Sequence, residues 1–163
     1  MVGRSGRKWG IIMFMGEYHH SLDEKNRIVI PTKFRDELGD KFVIARGLEN
    51  CLYIYSLEEW DKIVQKLKTL PFTKKDVRTF SRAFFSGASI CEFDKSGRIN
   101  ITSPLVSYAG LNKECVIIGV NDRIELWDKE LFDNFMNEKS SELEDIAEHL
   151  FEGNYETLKC LKK

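Results

Sequence analysis

The sequence is short of several things, and each shortage excludes a class of protein. It has only three prolines in 163 residues, too few for a proline-rich disordered or linker segment. No apolar run approaches the roughly 20 residues that a membrane-spanning helix requires. The segment Trp9-Gly10-Ile11-Ile12-Met13-Phe14-Met15 is too short for the core of a secretory signal and lacks a small-residue cleavage site. Neither sign of charge dominates: 25 Lys and Arg stand against 26 Asp and Glu, a net charge of −1. Composition alone therefore makes no case for nucleic-acid or membrane binding, and any such function rests on a local patch. The cysteines Cys51, Cys91, Cys115 and Cys160 form no C-x-x-C pair and read as free, buried thiols in a reducing cytoplasm.

Signatures of catalysis and metal binding are missing as well. There is no G-x-S-x-G, no Walker A loop and no G-x-G-x-x-G. His19 and His20 are adjacent, so on a strand they point to opposite faces, and His149 lies far away on an acidic segment; no third metal ligand stands at a sensible spacing. Asp23 and Glu24 are neighbours on a turn and make no general acid and base pair. The reading is a chain with no enzyme activity, cofactor, metal or small-molecule substrate.

What is present is an internal repeat. Residues 16–30 read GEYHHSLDEKNRIVI and residues 87–101 read GASICEFDKSGRINI. Without a gap they align Gly16 with Gly87, Leu22 with Phe93, Asp23 with Asp94, Arg27 with Arg98, and Ile28 and Ile30 with Ile99 and Ile101. With small shifts the likeness continues: Phe42-Val43-Ile44 answers Cys115-Val116-Ile117-Ile118, and Leu52–Tyr55 answers Ile124–Trp127. Two copies of a unit of roughly 70 residues thus fill the chain. Units of that size are marginal alone, so the two copies are expected to share one core.

Each copy predicts the same plan. A strand ends at the motif Asp, a tight turn follows, and a second strand starts at the motif Arg. The fourth motif position is Asn26 in one copy and Gly97 in the other, the residues that best tolerate a left-handed backbone. Pro31 then stands at the expected first position of a short helix ending near Leu38-Gly39, and Ser103-Pro104 does the same for one ending at Tyr108-Ala109-Gly110. Two strands rich in Val, Ile, Tyr and Phe follow in each copy. Ser56 to Glu59 reads as a capping box, with Trp60, Ile63, Val64 and Leu67 on one helix face; Thr73 with Asp76 reads as a second box, ahead of Val77, Phe80 and Phe84. In copy two, Asp128 is the expected cap of a helix carrying Leu131, Phe132 and Phe135, and Ser141 with Glu144 that of a last one.

A single D-x-x-x-R is weak, but two in register, each followed by a proline-led helix, are specific. On GEYHHSLDEKNRIVIP and on Asp94-Lys95-Ser96-Gly97-Arg98-Ile99 the sequence resembles the MraZ family, whose members carry two tandem AbrB-like (SpoVT-AbrB) motifs. The likeness runs approximately from Met13 to Phe151. It implies a mainly β, α+β fold in which two swapped-hairpin halves build a double-split β-barrel with peripheral helices. The implied organisation is a leader at 1–12 outside the pattern, repeat one at 13–86 and repeat two at 87–163. It implies also a cytoplasmic, nucleoid-associated transcriptional regulator, usually a repressor at the promoter of the division and cell-wall gene cluster. Such regulators assemble into closed homo-oligomeric rings on short direct DNA repeats.

The motif's own chemistry fits that role. Asp23 and Asp94 can accept backbone N–H bonds and pair with the Arg four residues on, fixing each tip. An Arg so held loses less rotamer freedom on reaching phosphate or a guanine edge. Copy one is the more basic, with Lys25, Arg27, Lys33 and Arg35 against Asp23 and Glu24 in segment 23–35, a balance of +2. Copy two has Lys95 and Arg98 against Asp94. The candidate DNA contacts are Lys25, Arg27, Lys33, Arg35 and Arg98; Asp23, Asn26, Asp94 and Gly97 are the candidate turn-forming residues. A purely structural role for either Arg is the competing reading. Beyond this site, residues 128–156 carry −8, either solvated helices or a face for the next subunit's basic side. The same barrel as a ring-forming interaction scaffold without DNA is the alternative at the level of function. An antitoxin-like module is a third, against which the fused tandem copy argues.

Overall fold

Strand alternation explains the architecture of the protein. The computed structural model describes residues 13–151 and 159–161; the expected leader at 1–12 lies outside them. Copy one forms β1 (Phe14–Ser21), β2 (Arg27–Val29), α1 (Thr32–Leu38), β3 (Lys41–Arg46), β4 (Leu52–Ser56), α2 (Leu57–Lys68) and α3 (Lys75–Ser86). Copy two repeats the series as β5 (Ser89–Glu92), β6 (Arg98–Asn100), α4 (Ser103–Ala109), β7 (Glu114–Asn121), β8 (Ile124–Asp128), α5 (Lys129–Ser140) and α6 (Leu143–Leu150). In β3, β4, β7 and β8, one set of alternate residues enters a single apolar core: Phe42 and Ile44, Leu52 and Ile54, Cys115 and Ile117, Ile124 and Leu126. Both copies supply that core, as a fold of two marginal halves requires.

The halves exchange strands. Six strands form an antiparallel sheet in the order β1-β7-β8-β4-β3-β5, and β2 and β6 form a separate ladder. Swapping the copies reverses the six-strand order into itself, so the sheet has a pseudo-twofold axis between β4 and β8, where Tyr53 stands opposite Glu125. The first strand of each copy pairs with the other copy: β1 with β7, Tyr18 opposite Ile117, and β5 with β3, Cys91 opposite Phe42. A mainly sheet-built core with helices around it is the expected fold class. The described hydrogen-bonded ladder is open at β1 and β5.

Residues up to Lys129 group into one compact unit, and those from Glu130 into a second. In the first unit, Tyr55 on the back of β4 packs near Trp60 of α2, whose indole stacks on Phe84 of α3 with ring centroids 5.2 Å apart. The expected faces of α2 and α3 are only partly covered: α2 has no buried residue and α3 buries Phe84 alone. In the second unit, Phe132 is buried, whereas α6 leaves Leu143, Ile146 and Leu150 exposed. No helix among the described residues is long and apolar enough to cross a membrane.

Several local expectations need correction. Ser56 does cap α2, its hydroxyl accepting the Glu59 N–H at 3.2 Å. Thr73 does not cap α3, which begins one residue later behind Lys74 with no side-chain cap; Lys74 N–H bonds the Pro71 carbonyl instead, so the proline-led turn sets the entry. Ser141 likewise yields the cap position of α6 to Glu142, whose N–H closes a turn onto Lys139. Pro31 is the cap residue of α1 rather than its first residue, while Pro104 lies inside the first turn of α4. The expectation for Asp128 needs no correction: it stands directly before α5, is buried, and accepts the Asn112 N–H at 3.0 Å. All four cysteines are free, but only Cys51 and Cys115 are buried; Cys91 is half-buried and Cys160 exposed. Burial pushes the Cys115 thiol up to about 12 and that of Cys51 higher still, so neither is a thiolate near neutral pH.

Candidate nucleic-acid interface

Two turns of the same design stand side by side. In the first, Asp23 Oδ1 accepts the backbone N–H groups of Lys25 and Arg27, both at 2.9 Å, and Oδ2 accepts Arg27 Nε–H at 2.8 Å. Asp23 N–H bonds the Arg27 carbonyl, and Asn26 N–H bonds the Asp23 carbonyl. The second turn repeats this: Asp94 Oδ1 accepts from Ser96 and Arg98 N–H at 2.8 and 2.9 Å, and Oδ2 from Arg98 Nε–H at 2.8 Å. Asn26 has φ 59° and Gly97 φ 74°, the left-handed step that closes each turn. The carboxyls of Asp23 and Asp94 are held below the usual carboxylate range. The backbone N–H of the motif Arg is the largest cause, desolvation opposes it, and the guanidinium adds to it.

The β2–β6 ladder holds the turns together. Ile28 stands opposite Ile99, both buried, with Arg27 opposite Asn100 and Val29 opposite Arg98. Each closing residue accepts a bond from the other copy: the Asn26 carbonyl from Ile101 N–H at 2.8 Å, the Gly97 carbonyl from Ile30 N–H at 3.1 Å. Asn100 Nδ2 reaches the Lys25 carbonyl at 3.1 Å. One contact breaks the symmetry: Arg98 Nη1 lies 3.7 Å from Asp23 Oδ2, so Asp23 faces both motif arginines.

The arrangement leaves part of each arginine available. Both motif arginine side chains are 30% exposed and bond their Asp through Nε. Among the described residues, the Nη groups of Arg27 make no hydrogen bond. A guanidinium anchored by one edge presents its other N–H groups as a fork suited to a phosphate or a guanine edge. Lys25 and Lys33 are exposed and without an ion pair among the described residues.

Arg35 sits differently. Its Nη2 donates to Thr32 Oγ1 at 2.7 Å, and its guanidinium covers Gly97, occupying the space a Cβ there would need. Arg35 of copy one thus braces the turn of copy two, a reason for glycine at 97 beyond its backbone angle. Sequence reasoning missed Asn100, which ties the turns, and Lys113, which shares an open groove with Leu22, Asp23, Glu24, Lys25 and Arg27. No local signal marks Lys113, because its place depends on the β1–β7 pairing. His19 pairs with Glu17 at 2.7 Å. The described residues hold no group of three or more metal-ligating side chains.

Comparison with known proteins follows the repeat. A family model described as "MraZ protein, putative antitoxin-like" matches twice, at residues 13–83 and 84–154. A transcriptional regulator MraZ from Lactobacillus helveticus (strain DPC 4571) is 57% identical over 138 residues, covering 85% of this chain and 96% of that protein.

Proposed function

The chain belongs to the MraZ family, and on that premise we propose that it is a DNA-binding transcriptional regulator without catalytic activity. It represses the promoter of the division and cell-wall gene cluster, acting in the cytoplasm on the nucleoid. Short direct repeats are its operator, read by the Asp-x-x-x-Arg hairpins. The observation that carries this reading is the pair of turns locked side by side, in which Asp23 and Asp94 anchor Arg27 and Arg98 through Nε at 2.8 Å. Arg27, Lys25 and Lys33 form the leading contact, with Arg98 and Arg35 at the second turn.

Energetics favour a ring. One turn with two or three cations binds DNA in the non-specific range of about 10⁻⁴ M or weaker. Several identical turns on successive repeats gain on the order of 10²–10⁴ in avidity. Head-to-tail contacts between copies generate such closed assemblies. The scaffold reading draws on the exposed apolar residues of copy one, with Phe72 at 78% and Phe80 and Phe85 near 40% exposed, which suit copy-to-copy contact as well.

Footprinting tests the proposal. The purified chain is titrated onto the DNA upstream of its own coding sequence and onto the same segment with its repeats scrambled. Protection at repeats spaced near one helical turn, lost on scrambling, is expected. High oligomers by light scattering with no salt-dependent DNA affinity would favour the scaffold instead.

A further inference from the structure

The two turns are alike, but the grooves beside them are not. Under the exchange of copies, Leu22 corresponds to Phe93, and the pairing Ser21 with Glu114 corresponds to Lys41 with Glu92. The residue before β7, Lys113, therefore takes the place that Asp40 holds before β3. The groove at the first turn is lined by Leu22, Asp23, Glu24, Lys25, Arg27 and Lys113. The equivalent positions at the second turn are Phe93, Asp94, Lys95, Ser96, Arg98 and Asp40, so that turn has an exposed Lys95 but an acid where the first has Lys113; beside it, Phe93 and Asp40 line a groove with Asp36, Arg35 and Lys41.

The cations of the two grooves are also differently engaged. Lys41 pairs with Glu92 at 3.8 Å, and Arg35 donates to Thr32 and covers Gly97. Lys25 and Lys113 have no ion pair among the described residues, and both are exposed. The backbone of Lys113 is pinned to the base of the first turn, its carbonyl accepting Leu22 N–H at 2.7 Å. Its side chain thus starts from a fixed point on the rim of the groove that Arg27 also lines.

We propose that the DNA phosphate backbone is held in one composite groove per chain, formed by the first turn of copy one and by Lys113 of copy two. Lys113 is a phosphate ligand of that groove, and the second turn chiefly braces the first. The inference rests on the DNA-binding reading and adds to it which turn faces the duplex and which residue completes the contact. A lysine on phosphate contributes affinity without sequence preference, so its signature differs from that of a base-reading arginine.

The test uses the full chain and two probes: a duplex from upstream of its own coding sequence and a scrambled duplex of the same length. Affinity is measured by fluorescence anisotropy at several salt concentrations. Lys113→Gln is expected to weaken binding to both duplexes by a similar factor and to lower the salt slope by about 1 for each engaged chain. Lys113→Arg is expected to restore the slope, and Lys41→Gln to leave it unchanged. Lys113→Met, which keeps the aliphatic stem, replaces the Gln variant if thermal melting shows that variant to be unfolded. A wild-type slope in the folded Lys113 variant, or an equal loss in Lys41→Gln, would overturn the groove assignment while leaving DNA binding intact. Absence of salt-dependent binding by the unsubstituted chain would overturn the DNA reading itself, and the groove with it.

Discussion

Asp23 grips Arg27 with both carboxylate oxygens, Oδ1 on the backbone N–H at 2.9 Å and Oδ2 on Nε–H at 2.8 Å. The pair 71 positions later, Asp94 and Arg98, repeats both bonds at the same distances. Backbone shape and guanidinium direction are thereby set by one side chain. Any change at the aspartate disturbs the turn and the guanidinium together.

A pH dependence follows. The carboxyls of Asp23 and Asp94 are lowered in the fold, so the folded state binds their protons less readily than the unfolded chain. Their stabilising contribution is present above the ordinary carboxylate range and is lost as pH falls through the lowered values, below about pH 4. Thermal melting across the acid range should show Asp23→Asn less stable than wild type near neutrality, with the difference shrinking as the medium is acidified. A constant difference would contradict the linkage.

Gly97 and Asn26 are expected to differ in how much a substitution costs. Gly97→Ala forces a Cβ into a left-handed position already covered by the Arg35 guanidinium, costing about 1–2 kcal/mol for the backbone and more for displacing Arg35. Combining it with Arg35→Ala should recover part of the loss. Asn26→Gly, at φ 59°, should change stability by less than about 1 kcal/mol. Urea unfolding of the four variants measures all of this.

At the ladder's centre, Ile28 and Ile99 are 0% and 1% exposed and face each other. Ile28→Ala should cost about 2–5 kcal/mol and loosen both turns, since they share that ladder. Amide exchange of Ile30 and Ile101, whose N–H groups bond the opposite turns, should quicken together. Faster exchange at one alone would argue against a shared brace.

Glu125 marks a cost outside the interface. It is 7% exposed and accepts from Arg123 Nη2 at 2.7 Å and from Trp127 Nε1 at 2.9 Å, while Arg123 lies over the Tyr53 ring. Glu125→Ala leaves a half-buried cation and a buried indole N–H without that acceptor, and should destabilise by about 3 kcal/mol. Chemical denaturation with tryptophan fluorescence reads it directly, and a loss below about 1 kcal/mol would show the network to be replaceable.

The legible part of the fold was the local part. Asp23 and Arg27 recur 71 positions on as Asp94 and Arg98, with Gly97 in the place of Asn26, and a turn, a short strand and a short helix are decided within about fifteen residues. The exchange of β1 and β5 between copies was not legible from periodicity, because nothing in residues 14–21 states which distant strand they pair with; only the family resemblance implied it. For the same reason Lys113 and Asn100 carry no local signal, though each lies beside the first turn in space. The helix starts near Thr73 and Ser141 differ for another reason: S/T-x-x-D/E is present, but a proline-led turn and a closing turn at the helix entry set the start one residue later.

Binding of Arg27→Ala to the upstream duplex, compared with the scrambled duplex at fixed salt, tests the central claim most directly. The account predicts that the folded variant loses its preference for the upstream duplex and retains at most the weak affinity common to both. Undiminished, sequence-specific binding by Arg27→Ala would contradict it.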